Sequence, residues 1–378
     1  MQISFTHSRR EASAQQGRSI KVKVSPIATD FQNHQLSLFQ GFLCNTDDER
    51  QKLSNSIELW DAVPRYSTSR RAMVKMRDEH GNLPLLQLQF EYRGTKFSVS
   101  IQATQIEVKD KNGKLKKTWD GKPVTIAYYP SANEELVEEA LRKLAVNQKS
   151  GFYVDEKPKA RSGVSFTLYQ LRNELKQRGH TRSFDEITLS LDILSGSNIN
   201  IIAYSPTSID MPFGKSNYLA AMTGVTRKDM ISDPNKKWMV QFHPFVTASI
   251  DKLSYRQFNY HQLMSHTTQL ARWLHKQLIL KYTFASRLHP FEMRYSTIQR
   301  DSAMLDNYSR PIDARVACES SMNELKEHGV LMGLTRRVEE GVRGKITDVV
   351  YTLTPSSEFV AEAKAANKRK EKLSTIDK

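Results

Sequence analysis

The feature that most constrains the fold is an ordered series of a short strand, two helices joined by a tight turn, and a second strand. In SFTLYQLRNELKQRG, Ser165–Leu168 is typical of a short strand, and leucines at helical spacing continue to Leu175 before Gly179 ends the helix. After the turn HTR, Ser183 is a suitable N-cap for FDEITLSLDILSGS, and Glu186 completes a capping box. The strand NINIIAY follows.

The same order returns in the second half of the chain. HQLMSHTTQLARWLHKQLILKYTF is predicted as one long helix, followed by a short helix in YSTIQRDSAML, the turn DNYS and a helix in RPIDARVACESSMNELKEHG. We expect this last helix to place Ile312, Val316, Met322 and Leu325 on its inner side. VLMGLTRRVEEGVRGKITDVVYTLTP is typical of two strands around a basic, glycine-bearing wing. The order is that of a winged helix-turn-helix, so the pattern predicts an α+β chain with two tandem winged-helix (helix-turn-helix) domains and a flexible N-terminal arm.

Four regions are predicted along the chain. Residues 1–80 form a polar arm, 85–240 the first winged-helix domain, 241–356 the second, and 357–378 a basic tail. The segments LLQLQFEY, KFSVSIQATQIEV and PVTIAYY alternate apolar and polar residues, as half-buried strands do. The turn KDKNGK contains Asn-Gly, a strong hairpin signal. ANEELVEEALRKLAVNQ is predicted as an amphipathic helix.

Charge favours a polyanionic partner. The chain carries 56 Lys and Arg against 41 Asp and Glu, a formal net charge of +15. Nucleic acid is the first candidate, and phosphate neutralisation would make binding strongly salt-dependent. The alternative is a generically basic protein.

The cysteine positions and the hydropathy indicate the cellular compartment. Cys44 and Cys318 lie far apart, with no spacing typical of a zinc site or a disulfide scaffold. No apolar run reaches the length of a signal peptide or a membrane span. A cytoplasmic protein associated with the nucleoid or a plasmid, with no membrane partner, is therefore expected.

Basic and polar side chains at the two helix-turn-helix units are the predicted DNA contacts. Arg310 and Arg315 lie at the start of a helix, where side chains enter a major groove, and Arg pairs bidentately with guanine O6 and N7. The turns and the wing offer phosphate, base-edge or minor-groove contacts. The predicted set is Asn307, Tyr308, Ser309, Arg310, Arg315, Arg336, Arg337, Arg343 and Lys345 in the second domain, and Arg178, His180, Thr181, Arg182 and Ser183 in the first. The alternative for any single residue is a solvated basic face.

No set of residues in the sequence supports catalysis. Phe213–Ser216 (FGKS) is similar to the end of a phosphate-binding loop, but Ile209 stands where the upstream glycine is required. The histidines form no HExxH motif, and the one His-x-x-Arg, His7 to Arg10, lies at the wrong end of the chain for a tyrosine recombinase. We expect no enzymatic activity, no catalytic residue, no metal and no cofactor.

Residues 85–356 resemble plasmid replication initiators of the RepE/TrfA tandem winged-helix superfamily. SFTLYQLRNELKQRG followed by ITLSLDIL looks like the first winged helix of the TrfA-type branch, and LSYRQFNYHQLMSHTTQLARWLHKQL resembles the segment that leads into the second. The resemblance implies binding to repeated sites (iterons) at a plasmid-type origin, origin opening, contact with the host initiator and replicative helicase, and often autorepression as a homodimer. The alternative is a transcriptional repressor with the same domains and no role in replication.

A short motif in the arm adds a partner. Gln35, Leu36, Ser37, Leu38 and Phe39 (QLSLF) resemble the pentapeptide by which bacterial proteins bind the replicative sliding clamp, and TrfA-type initiators carry a similar motif before their folded core. An extended segment could lay its leucine and phenylalanine into an apolar pocket, with the glutamine amide at the rim. The alternative is a small strand docked on the first domain.

Overall fold

The computed structural model describes residues 52–110, 113–146, 150–154, 161–204, 211–224, 233, 236–251 and 255–376. Within these residues the strands are β1 Leu53–Ile57, β2 Leu86–Tyr92, β3 Thr95–Gln102, β4 Thr104–Glu107, β5 Thr125–Tyr128, β6 Gly151–Val154, β7 Arg161–Phe166, β8 Asn198–Ala203, β9 Met211–Asn217, β10 Leu219–Thr223, β11 Trp238–Phe242, β12 Tyr255–Asn259, β13 Phe291–Arg294, β14 Leu331–Glu340 and β15 Ile346–Pro355. The helices are α1 Glu58–Ala62, α2 Arg70–Met76, α3 Ala132–Ala145, α4 Leu168–Gln177, α5 Phe184–Gly196, α6 Pro244–Asp251, α7 Tyr260–Ser265, α8 Gln269–Lys281, α9 Tyr295–Ser302, α10 Pro311–Glu327 and α11 Ser357–Ile376. The predicted α+β class is confirmed.

The second half of the chain forms a winged helix. The elements α8, β13, α9, α10, β14 and β15 follow one another, and antiparallel pairing gives the sheet order β13–β15–β14. The helix-turn-helix consists of α9 and α10, joined through a 3₁₀ turn at Leu305–Asn307, and β14 and β15 form the wing. The fold predicted from the repeated pattern is therefore present here.

The first winged helix uses the same order with an insertion. The elements α3, β7, α4, α5, β10 and β11 follow in sequence, and the sheet order β10–β11–β7–β6 places the wing strands beside β7. The strand NINIIAY was expected to complete this domain directly after α5. It is β8, but it pairs with β3 and β9 in a separate sheet of order β2–β3–β8–β9. Alternation along a segment predicts a strand but does not specify its partner, which depends on the face that the rest of the chain buries.

The capping signals of the first helix-turn-helix are confirmed. Ser183 accepts a hydrogen bond from the Glu186 backbone N–H, and the Glu186 side chain accepts one from the Ser183 N–H. Gly179 follows α4 with a φ of +83°, which glycine adopts without steric cost.

The N-terminal segment from residue 52 onward is part of the core rather than of a polar arm. β1 pairs antiparallel with β12, from Leu53 opposite Asn259 to Ile57 opposite Tyr255. Trp60 on α1 is fully buried. The polar composition of residues 1–80 suggested an arm, but the few apolar residues of this segment find their partners on β12, some 200 positions further on, which composition alone does not indicate.

Two other boundaries differ from the sequence prediction. The division between residues 240 and 241 falls inside β11, and α6 after it packs on β7 and β9 of the first domain. The long helix predicted from residue 261 is broken into α7 and α8, because Thr268 caps α8 by accepting a hydrogen bond from the Ala271 N–H.

The basic tail is an ordered helix that docks on the second domain. α11 buries Phe359, Ala363 and Ala366 and packs on β12. Asn367 donates a hydrogen bond to the Thr283 carbonyl at 2.9 Å. The tail therefore uses one alanine-rich face for packing and leaves its basic face to solvent.

A cluster of buried charges joins the two domains. We define the interdomain ion cluster as Asp61, Arg65, Glu135, Glu138, Glu139, Arg142, Arg272 and Lys276, all buried. Asp61 lies 2.7 Å from Arg142 of α3 and 3.1 Å from Lys276 of α8. Because the cluster contains four acids and four bases, its formal charge balances, as buried ions require.

Candidate nucleic-acid interface

The inner face of α10 fixes this helix on the second domain. Pro311 occupies its first turn, where the missing N–H of proline has no cost. Ala314, Cys318, Met322 and Leu325 are buried at spacings of one helical turn. Burial raises the pKa of the Cys318 thiol to about 12, so this thiol is protonated at neutral pH and acts as a packing group.

The outer face of α10 is partly apolar. Ile312 and Val316 are 56% and 60% exposed, so the prediction that they lie on the inner side is wrong. Each precedes a buried residue, Ala314 or Cys318, by two positions, and two positions turn an α-helix by about 200°. Helical spacing predicted the helix, but the rotation that buries one face was decided by packing. Arg315 beside them makes no ion pair among the described residues.

The turn before α10 is exposed and partly tied to the N-terminal segment. The Asn307 side chain donates hydrogen bonds to the carbonyls of Ser67 and Met304, both at 3.3 Å. Tyr308 and Ser309 are exposed. Arg310 forms an ion pair with Asp313 at 2.8 Å, which partly neutralises it.

The wing carries the remaining predicted cations of the second domain. Arg336 is paired with Glu319 of α10 at 2.6 Å, and Arg337 lies 3.4 Å from Glu339. At the tip, Arg343 has a φ of +62°, and both Arg343 and Lys345 are exposed. Among the described residues neither of these two makes an ion pair, so they are the wing cations most available to a phosphate.

Together these features make one surface with two kinds of chemistry. We define the α10 surface as Asn307, Tyr308, Ser309, Arg310, Ile312, Arg315, Val316, Arg343 and Lys345. Arginine can pair with guanine, and exposed aliphatic side chains can contact the thymine methyl group in a major groove. Wing-tip cations are suited to phosphates, which position a protein on DNA without reading sequence.

In the first domain the predicted residues make structural contacts. Arg178 pairs with Glu174 at 3.0 Å, and Arg182 donates to the Asn133 side chain at 2.9 Å. His180 Nε2 lies 2.7 Å from the Met264 carbonyl, and burial lowers its pKa. Thr181 and Ser183 are exposed. The outer face of α5 contains no Lys or Arg, so this helix offers a nucleic acid much less than α10 does.

A basic helix that the sequence analysis missed lies beside the turn before α10. Ser69 caps α2 by accepting a hydrogen bond from the Ala72 N–H, and Arg71 and Lys75 are exposed. The contact between Asn307 and Ser67 places the start of α2 next to this turn. The signal was present as a Ser N-cap before the run RRAMVKMR, but it was assigned to the arm.

Three remaining features are the clamp-like motif, a possible metal-binding group and the absence of a membrane-spanning helix in the described residues. Gln35, Leu36, Ser37, Leu38 and Phe39 lie outside the described residues. Within the described part of the chain, His266, Glu324 and His328 form a group able to hold a metal ion. No helix in that part is both long and apolar enough to cross a membrane.

Comparisons with known proteins give matches among solved structures. No family model and no curated protein matches this chain. A structure of domains 2 and 3 of RctB has a TM-score of 0.46 at 12% identity, covering 79% of this chain and 96% of that chain. The Pi initiator protein in complex with iteron DNA has a TM-score of 0.33 at 10% identity, covering 82% and 99%. Neither structure is named as a TrfA-type initiator, so the assignment to the TrfA-type branch stays a prediction. At these TM-scores the structural similarity carries no argument about function. The chain is thus similar in structure to domains 2 and 3 of RctB and to the Pi initiator protein.

Proposed function

We propose that this protein is a sequence-specific binder of double-stranded DNA that acts as a replication initiator at a plasmid-type origin. The observation that carries the proposal is the α10 surface, where two exposed aliphatic residues lie on the outer face of the second helix of a helix-turn-helix and the half-buried Arg315 lies beside them. The net charge of +15 supports a polyanionic partner.

In this proposal α10 enters the major groove. Arg315 would read a guanine, with about 1–3 kcal/mol of discrimination against other bases. Ile312 and Val316 would contact thymine methyl groups, which explains why two aliphatic residues are exposed beside arginines. Arg343 and Lys345 would bind phosphates, as would Arg71 and Lys75 of α2, next to the turn.

The initiator role adds steps that rest on the family resemblance. We propose binding at repeated sites, opening of adjacent DNA, and recruitment of the host initiator and replicative helicase, with the QLSLF motif contacting the sliding clamp. A homodimer would repress the protein's own gene. In this proposal the protein acts in the cytoplasm on the nucleoid or a plasmid, and it performs no catalysis itself.

Binding is tested with duplexes from the DNA that flanks the gene, and with duplexes selected from a random pool if those fail. Fluorescence anisotropy should show nanomolar binding to one sequence and binding weaker by at least about a thousandfold to unrelated DNA. Equal affinity for all duplexes would refute the proposal of sequence-specific binding. Permanganate reactivity of thymines next to the bound site tests opening, and binding without opening would favour the repressor.

Thymine reading has a matched test. Replacing each thymine of the bound site by deoxyuridine removes one methyl group and leaves every hydrogen-bonding group unchanged. At one or two positions this change should weaken binding of the wild-type protein, and Ile312→Ala or Val316→Ala should abolish the difference at its own position. If no deoxyuridine substitution changes affinity, the outer face of α10 does not read thymine methyls.

A further inference from the structure

A group of histidines lies where the end of α10 meets the break between α7 and α8. One potential ligand atom from each of His266, Glu324 and His328 lies within 4.8 Å of the other two. His266 follows α7, whereas Glu324 and His328 lie in and directly after the last turn of α10. His266 precedes Glu324 by 58 positions and His328 by 62, so sequence spacing does not indicate a site.

Each histidine is held through one ring nitrogen. His266 Nε2 lies 3.0 Å from His275 Nδ1, and His328 Nδ1 lies 2.5 Å from Ser265 Oγ. The other nitrogen of His266, Nδ1, is buried and has no hydrogen-bond partner among the described residues. A buried polar atom without a partner is costly in a folded protein, and an ion bound at Nδ1 would satisfy it.

The tautomers fit a ligand role. If His266 Nε2–H donates to His275 Nδ1, the Nδ1 of His266 carries a bare lone pair. A second residue that receives the other N–H is the usual way to orient a metal-binding histidine.

The carboxylate of Glu324 is held in place by hydrogen bonds. Its carboxylate accepts hydrogen bonds from the Thr267 hydroxyl at 2.9 Å and the Thr268 hydroxyl at 2.5 Å. The backbone N–H groups of Thr267 and Thr268 donate to the same carboxylate. Glu324 also lines an open groove of about 490 Å³ together with Glu319 and Glu327, through which a cation can reach it.

We propose that His266, Glu324 and His328 form a zinc site that fastens the start of α8 to the end of α10. Two histidines and one carboxylate, with a water at the fourth position, are an established zinc ligand set, and imidazole ligands disfavour Mg²⁺ and Ca²⁺. Tetrahedral zinc with bonds of about 2.0–2.1 Å holds its ligand atoms about 3.3 Å apart. The side chains must therefore close by up to about 1.5 Å, a movement within the reach of His and Glu rotamers. The nearby Arg272 guanidinium is paired with Glu135 at 2.9 Å, which limits its repulsion of the ion.

The site is tested on the full-length protein without an affinity tag, after chelator treatment and removal of the chelator. Zinc bound after gel filtration is counted by atomic emission, and the melting temperature is followed with added Zn²⁺ or Mg²⁺. His328→Ala removes one ligand, and His80→Ala, which changes an exposed histidine outside the group, is the matched control. His328→Asn is the second variant, because asparagine is well tolerated at the end of a helix.

The wild-type protein and His80→Ala should each bind one zinc per chain tightly, and a hundredfold excess over Kd should raise the melting temperature by about 3 °C, with no rise in Mg²⁺. The melting temperature of His328→Ala should not change when either ion is added. If His328→Ala does not fold in the absence of metal, His328→Asn decides. The proposal is overturned if the wild type binds no zinc at micromolar concentration, or if a folded His328 variant keeps the full stoichiometry and shift. The test does not use DNA, so its result is independent of the proposed function.

Discussion

Asp61 should be the residue whose charge most stabilises the junction between the two domains. Its side chain is fully buried and accepts hydrogen bonds from Arg65, Arg142 and Lys276 at 2.7–3.1 Å. Asp61→Asn removes one of four buried acids and leaves four buried bases, a net charge of +1 in the cluster. The new amide also turns N–H groups toward cations. Removing one partner of a buried pair costs about 3–5 kcal/mol, a large part of the roughly 5–15 kcal/mol that stabilises a folded protein.

The assay is urea unfolding at pH 7, followed by tryptophan fluorescence and circular dichroism. A lower midpoint with an unchanged slope reports the loss of stability. Asp185→Asn, at an exposed position in the first turn of α5, is the control and should cost less than about 1 kcal/mol. If Asp61→Asn costs no more than this control, the cluster does not stabilise the junction and the reasoning fails.

The pH dependence gives a second check on the same residue. Burial alone raises the pKa of Asp61, but Arg142, Lys276 and Arg65 outweigh it and hold this pKa well below its usual value. A carboxyl with a lowered pKa in the folded state contributes stability that is complete above its unfolded pKa of about 3.9 and is lost as pH falls toward the folded pKa. The stability difference between wild type and Asp61→Asn should therefore be constant near neutral pH and shrink below about pH 4. A difference that grows on acidification would contradict this assignment.

Three further predictions concern the DNA interface, the clamp-like motif and the first domain. Arg315→Ala should weaken binding to the specific duplex by about 1–3 kcal/mol and relax the preference at one base pair. Arg343→Ala should instead weaken binding to all duplexes and reduce the slope of log K against log salt by about 0.9. Fluorescence anisotropy at several salt concentrations distinguishes the two effects, and if each variant showed the effect expected of the other, the two roles would be reversed. The double variant Leu38→Ala and Phe39→Ala should abolish binding to purified sliding clamp, because each large apolar side chain contributes about 1.5–3 kcal/mol when buried. The DNA affinity of the same variant should not change. An equal loss of clamp binding and DNA binding would show that the segment is part of the core. Gly163→Ala should destabilise the first domain strongly, because the new Cβ would lie 2.0 Å from a backbone oxygen of β11. A melting temperature within 1–2 °C of the wild-type value would contradict this prediction and show that β7 and β11 separate easily.

Much of the candidate site could be located from the sequence, but its orientation could not. The turn before α10 and the cations of the wing were identified because they sit at fixed offsets from a helix start and a hairpin. Ile312 and Val316 were assigned to the wrong face, because a helix with apolar residues on two sides has no unique inward direction until its neighbours are placed. The basic helix α2 was missed for a related reason: its position beside the turn depends on a contact between Ser67 and Asn307, 240 residues apart.

The sequence by itself determined most local elements, their caps and their order, and hence the two helix-turn-helix units. Helical and strand periodicity, the capping box at Ser183 and the glycine at position 179 act over a few residues, so they can be read without knowing the rest of the fold. Only the tertiary structure decided that β8 joins a second sheet, that residues 52–77 and α11 pack on the core, and that eight charges are buried between the domains. These features pair groups more than 200 positions apart, as Asp61 with Lys276. A buried charge is stable only when a distant segment supplies its opposite, and that condition is set by packing rather than by local sequence.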